Sequence, residues 1–213
     1  MGAVSWSDRQ RRLGAGSMTE VAPRRHRGPD PWIEAAYLLL AEQGHSAVTI
    51  ERLTAATAKT RGSFYHHFGS METFVARLVV DWQERNTERI VRLAHATREP
   101  GKRRKVLNRE AGQLNAGVET AFRIWAGLDP QVRAACDAVD DRRVSVLAQD
   151  LIDFAGALGC DLPDHEATTL AQIEYAAFVG GMLLASKGKS SLLLDLGPKY
   201  EEMLTAYLGN RRN

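Results

Sequence analysis

The sequence predicts an all-α fold, and three observations carry that prediction. Apolar residues recur at three- and four-residue spacing along most of the chain. No stretch shows the period-two alternation of a half-buried strand. Helix punctuation is frequent: Asp30-Pro31 and Asp129-Pro130 each read as an N-cap followed by Pro at the first helical position, while Gly44 and Gly127 close segments. With 213 residues, 44% apolar and 25% charged, the chain has material for a real core and about nine helices.

Residues 1–28 carry Arg, Gly and Ser without hydrophobic periodicity and read as a disordered basic tail. Its end, Arg24-Arg25-His26-Arg27, fits either phosphate or minor-groove contact or a solvated extension, with Met18 as an alternative start. The first helix opens at Asp30-Pro31, carries Trp32, Ala35, Ala36, Leu39 and Leu40 on one stripe, and ends at Gly44. Two short helices follow. The first, over about 49–56, has Thr49 as N-cap and turns Ile50 and Leu53 inward. The second starts near Thr60, another N-cap, and sets Phe64 and Phe68 four residues apart. Around those rings lie Arg61, Gly62, Ser63, Tyr65, His66 and His67. A helix that buries two rings and shows a cation, a hydroxyl, a phenol and imidazoles suits a DNA groove. Arg can pair with guanine edges, Ser, Tyr and His can bond phosphate oxygens, and glycine lets the backbone come close. Spacing alone leaves an ordinary solvated face open.

The run T-I-E-R-L-T-A-A, followed by R-G-S-F-Y-H-H-F-G-S-M-E-T-F, resembles the DNA-binding signature of the TetR family of transcriptional regulators. The likeness is dense over about 32–79 and loose elsewhere. It implies a helix-turn-helix domain over 29–75, with recognition residues at 60–67, and a helical effector-binding and dimerisation domain over 76–213. On the residues here, Arg61 and Ser63 are the expected base readers. Tyr65, His66 and His67, with Thr49, Lys59, Thr60 and Gly62, complete the expected DNA surface. The sequence departs from the family pattern where a glycine and an apolar residue are usual, with Ala58 and Lys59. It departs again where a Lys usually opens the fourth helix, with Met71. Ala58 raises a question of turn geometry, because a Cβ disfavours positive φ. Met71 implies one fewer phosphate contact, which Lys59 can replace.

A long helix is expected over about 70–97, with Phe74, Val75, Leu78, Val79 and Trp82 on its stripe and an all-polar stretch from Gln83 to Glu88. Asn86 falls where the stripe calls for an apolar residue, so it lines a cavity or marks a protruding stretch. Glu99-Pro100-Gly101 breaks the helix. The four cations Lys102–Lys105 oppose a helix macrodipole at its start, so the next helix is expected to begin later and to show them to solvent, with a second nucleic-acid patch as the alternative. Further stripes are Val118, Ala121, Phe122 and Trp125, then Val132, Cys136, Val139, Val146 and Phe154. Asp164 is expected to cap a helix holding Leu170, Ile173, Tyr175, Phe178, Val179, Met182 and Leu183. Gly180-Gly181 inside it is tolerable if another helix packs closely. A last helix is expected near 199–208. The resemblance implies that 164–186 and 199–208 pair with their symmetry mates in a homodimer and place two recognition helices on a palindromic operator in double-stranded DNA. It also implies a small-molecule effector, for which Trp82, Asn86, Phe122, Trp125, Tyr175 and Phe178 are the candidate lining and a hydrophobic ligand the expectation.

Net charge is +2, and residues 1–75 hold all of that excess, beside the proposed motif. Cys136 and Cys160 are isolated and read as buried thiols, with no metal expected. No apolar run is long enough to span a bilayer and no signal peptide is evident, so a cytoplasmic location without membrane contact is expected. An enzyme is not expected. His66 and His67 with Glu72 are the densest titratable group, yet neighbouring side chains on a helix diverge by about 100°. A phosphate loop, an H-E-x-x-H and a nucleophile–base motif are all absent from the sequence, and no cofactor is implied. The reading is therefore a ligand-released repressor. The alternative is a ligand-independent architectural or adaptor DNA-binding protein of the same fold.

Overall fold

Helix α1 (Pro31–Gln43) begins where Asp30 Oδ1 accepts the Trp32 amide at 3.0 Å and Pro31 occupies the first helical position. This is a computed structural model, and it describes residues 30–185 and 192–211. The expected tail over 1–28, with its arginine run, lies outside the described residues. Gly44 ends α1 at φ 77° and the chain turns through a short 3-10 segment, His45–Ala47. Helices α2 (Ile50–Thr57) and α3 (Arg61–Phe68) are both capped by threonine: Thr49 accepts the Arg52 amide at 3.3 Å, and Thr60 accepts the Ser63 amide at 3.1 Å. Between them Ala58 adopts φ 53°, ψ 30°, the only left-handed non-glycine among the described residues. A Cβ there is disfavoured by about 1–2 kcal/mol. The turn keeps its shape despite the alanine.

The long helix is one rod in three parts. It runs as α4 (Met71–Gln83), widens into a π-helical stretch (Glu84–Glu88), and ends as α5 (Arg89–His95). After it come α6 (Pro100–Gly112), α7 (Ala116–Ala126), α8 (Pro130–Ala157), α9 (Asp164–Ala185) and α10 (Leu192–Asn210). With α4 and α5 as a single rod, the described residues form nine helical rods and no strand, as the sequence predicts.

Four local expectations need correction. The helix after the Pro100 break begins at Pro100 itself, because the Glu99 carboxylate accepts the Gly101 and Lys102 amides at 2.8 and 3.0 Å. Only two of its four cations face solvent, Lys102 and Lys105; Arg103 pairs with Asp150 and Asp153, and Arg104, only 1% exposed, pairs with Glu174 and Glu201. Asp164 is the first residue of α9 and not its cap; the Ala167 amide bonds back to the Pro163 carbonyl. The last helix starts at Leu192, well before the expected 199, and carries Pro198 inside it.

The core explains the position of α3. Phe64 and Phe68 are buried against Trp32 of α1 and Phe74 of α4, with centroids 5.3 Å apart for Trp32–Phe64, 5.3 Å for Phe64–Phe74 and 4.8 Å for Phe68–Phe74. Such aromatic pairs add about 0.5–1.5 kcal/mol each beyond their burial. The same apolar core continues through Leu78, Val79 and Trp82 to Phe122, Val132 and Val139. The N-terminal helices therefore share one packed interior with α4, α7 and the first part of α8, while Leu151, Ala171, Leu204 and Leu208 form a second core between α8, α9 and α10.

Candidate nucleic-acid interface and internal cavity

Burying Phe64 and Phe68 forces the opposite side of α3 outward. Arg61, Gly62, Ser63, Tyr65 and His66 are exposed there, beside Lys59, Thr60 and Thr49. The Arg61 guanidinium lies 5.8 Å from the Tyr65 ring centroid, which aligns two long side chains on one edge. Thr49 and Thr60 spend their oxygens as caps, but each hydroxyl keeps a proton to donate to an acceptor such as phosphate. Gly62 has an ordinary helical backbone, and a Cβ built on it would meet nothing closer than the Thr60 hydroxyl oxygen at 3.8 Å. Nothing inside the protein requires glycine at this place. His67 is placed differently: its Nε2 lies 3.3 Å from Asp30 Oδ2, which also faces Arg77 at 3.7 Å. It engages the start of α1, whereas Tyr65 and His66 are presented outward. Met71 is half-buried against the core.

A cavity of about 130 Å³ opens among the π stretch, α6, α8, α9 and the start of α10. Of the six lining candidates, Asn86, Tyr175 and Phe178 border it. Trp82, Phe122 and Trp125 do not. They stack as a buried column, with centroids 4.5 Å apart for Trp82–Phe122 and 6.2 Å for Phe122–Trp125, and so fill the space they were expected to enclose. Trp82 is tied to the cavity wall through Glu119, which lies behind the lining and accepts from the Trp82 indole N–H at 2.8 Å, from Asn86 at 2.9 Å and from Arg143 at 2.9 Å. Burial pushes the Glu119 carboxyl upward, but Arg143 and these donors overcome it and hold the group below the usual carboxylate range. Arg143 also donates to Thr87 Oγ1 and to the Asn86 carbonyl, both at 3.0 Å, which ties the π stretch to α8. Tyr175 donates to Asp140 at 2.6 Å and accepts from Arg123 at 2.7 Å; burial pushes its phenol up to about 12.

At the far end, Arg104 donates to Glu174 at 3.0 Å and to Glu201 at 2.6 Å, and Asn108 donates to Glu201 at 2.9 Å. Glu119, Arg143 and the Arg104 cluster are absent from the sequence expectations. A signal existed for part of them. Arg143 and Asp150 sit four residues after Val139 and Val146, on the apolar stripe of α8, where a charge requires a buried partner.

The outer faces of α9 and α10 remain apolar. Ile173 is 54% exposed, Leu183 50% and Met203 62%, with Leu184 and Tyr207 beside them. Gly180 has open space where a Cβ would stand, so no helix among the described residues packs on α9 at that point. No helix among the described residues is long and apolar enough to cross a membrane.

Comparison with known proteins bears on these surfaces. Residues 33–78 match the pattern of the bacterial regulatory proteins of the tetR family. The chain is 36% identical over 58 residues to the HTH-type transcriptional repressor AcnR of Corynebacterium efficiens, a match covering 27% of this chain. That match spans 31% of the relative's length, less than a third. Similar solved structures include a regulator from Saccharomonospora viridis in complex with choline, with a TM-score of 0.70 at 17% identity, covering 82% of this chain and 94% of that one. A TetR transcription regulator from Haloarcula marismortui gives a TM-score of 0.69 at 17% identity, covering 83% and 95%. These distant structures share the fold. Residues 33–78 thus carry the N-terminal pattern of the tetR family of bacterial regulatory proteins, and the whole chain shares its fold with these solved regulators.

Proposed function

We propose that the protein is a homodimeric transcriptional repressor that holds a palindromic operator through α3 and leaves it when a small ligand occupies the internal cavity. One observation carries the DNA reading: α3 is fastened from behind by Phe64 and Phe68 and presents Arg61, Ser63, Tyr65 and His66 together on its free side. Arg61 and Ser63 are the base readers in this reading. Tyr65 and His66, with Lys59 and the two capping threonines, hold phosphates, and His67 serves by fixing the start of α1. Two heads are supplied by a second copy docked on the apolar faces of α9 and α10, as half-sites about one helical turn apart require. The cavity supports the ligand step, because its lining includes the π stretch of the same rod that begins beneath α3. A ligand releases DNA only if it favours the arrangement that does not bind DNA.

Genomic footprinting with the purified protein tests the reading. A small set of protected palindromes is the expected result. Protection at many dispersed sites would favour the architectural role, and no protection anywhere would remove the DNA reading.

A further inference from the structure

We infer that the cavity is built for an organic cation, an ammonium group carried on an apolar, ring-sized body. The inference rests on the reading of the cavity as an effector site and narrows that effector to one charge class.

The polar groups around the cavity are unevenly supplied with partners. Arg143, the guanidinium in its wall, is already consumed by Glu119, Thr87 and the Asn86 carbonyl. That corner is balanced, one cation against one carboxylate. The opposite wall is not. Glu174 lines the cavity, and its counter-charge is Arg104, which Glu174 shares with Glu201. Two carboxylates on one guanidinium leave that wall one positive charge short. Burial pushes the Glu174 carboxyl above its usual range, and Glu201 and Asp150 push the same way against Arg104, as expected where positive charge is lacking.

An anion entering here would find few free donors. The side-chain amides of Asn86 and Asn108 are each turned to a carboxylate, Glu119 and Glu201. Arg104 Nη1 has no acceptor among the described residues, but Arg104 does not border the cavity. A cation finds instead the Glu174 carboxylate and the rings of Phe178 and Tyr200 in the same lining. Ring faces attract ammonium groups, more strongly where water is excluded. The remaining wall, with Ile90, Leu107 and Val146, is aliphatic and takes the body of the ligand. The volume of about 130 Å³ is close to that of cavities that hold a single benzene, roughly 150 Å³.

Calorimetric titration of the full chain with benzylammonium, benzyl alcohol and benzoate tests the charge class at nearly constant shape. Benzylammonium is expected to bind about tenfold more tightly than the alcohol, the margin of a charged over a neutral hydrogen bond, and benzoate to bind weakest. Glu174→Gln should erase that margin and leave the affinity for the alcohol in place. Phe178→Leu, which keeps the Arg104–Glu174 pair, should weaken benzylammonium by about threefold or more and the alcohol less. Equal binding of cation and alcohol, preference for benzoate, no measurable binding by any of the three, or an unchanged margin in both variants would overturn the inference. Operator affinity measured in the same samples separates it from the regulatory reading. A bound cation that leaves operator affinity unchanged upholds the charge class and removes the effector role. Indifference to charge in a protein that still holds its operator overturns the charge class alone.

Discussion

Gly62 is a residue of the proposed recognition surface whose identity the fold does not explain. Its backbone is helical and a Cβ would have room, so alanine should stabilise α3 by up to about 1 kcal/mol. If the backbone of α3 approaches DNA at this point, the same methyl obstructs it. Gly62→Ala is therefore expected to raise the thermal midpoint and lower operator affinity together; a variant that gains stability and keeps its affinity would show that the glycine faces nothing. Arg61→Ala and Tyr65→Phe probe the two contact types on the same edge. The first should cost about 1–3 kcal/mol and relax base preference at one position. The second should weaken binding evenly across sequences and leave the salt slope nearly unchanged, because a neutral phenol bonded to phosphate releases no counterion. Gel-shift titrations at several salt concentrations read both. At this scale the sequence was legible where chemistry is local: Asp30, Thr49, Thr60 and Asp129 all stand at helix starts that their own side chains cap. It was less legible for His67, because its partner Asp30 is distant in sequence, and the pairing exists only once α3 packs on α1.

The rod made by α4, the π stretch and α5 joins the two candidate sites as an element. The polar run from Gln83 to Glu88 marks an interruption in the sequence, but only packing shows its form. Asn86 and Thr87 are held by Glu119 and Arg143, which belong to α7 and α8. A wider turn persists there because it brings the Asn86 carbonyl and the Thr87 hydroxyl to one guanidinium. Removing the Glu119 charge leaves Arg143 buried without its anion, and breaking such pairs costs about 3–5 kcal/mol. Glu119→Gln should lose a stability of that order in urea unfolding while α3 stays folded. The pH dependence has a definite sign. The folded-state carboxyls of Glu119 and Asp140 are held below their usual range, so their contribution is full above the unfolded carboxylate range and is lost as pH falls from there through their lower folded values. Glu174 and Asp150, raised by burial, pull the other way. The clean measurement is thus the difference between the parent and Glu119→Gln. Their stabilities should converge as the solution is acidified through the carboxylate range and separate again at neutral pH; a constant gap would mean that Glu119 carries no charge in the fold.

For the whole molecule, the fold class was readable because helix periodicity and caps are properties of short stretches. The Trp82–Phe122–Trp125 column shows the limit of such reading. Aromatic residues on a stripe face inward, but only packing decides whether they line a space or fill it. The faces of α9 and α10 complete the picture from outside. Ile173 and Met203 are more than half exposed, although water favours neither there. In the folded monomer a carboxylate at either position would remain solvated and cost little. In a dimer built on these faces it would be buried against its own symmetry mate, where like charges repel and desolvation is uncompensated. Ile173→Glu and Met203→Glu are therefore expected to leave helix content and urea midpoint of the dissociated chain nearly unchanged while sedimentation shows monomers. Operator affinity should then fall by about a hundredfold or more, because two linked heads act at high effective concentration and a single head does not. If both variants sediment as dimers and bind as the parent does, the apolar faces of α9 and α10 are not what pairs the two copies.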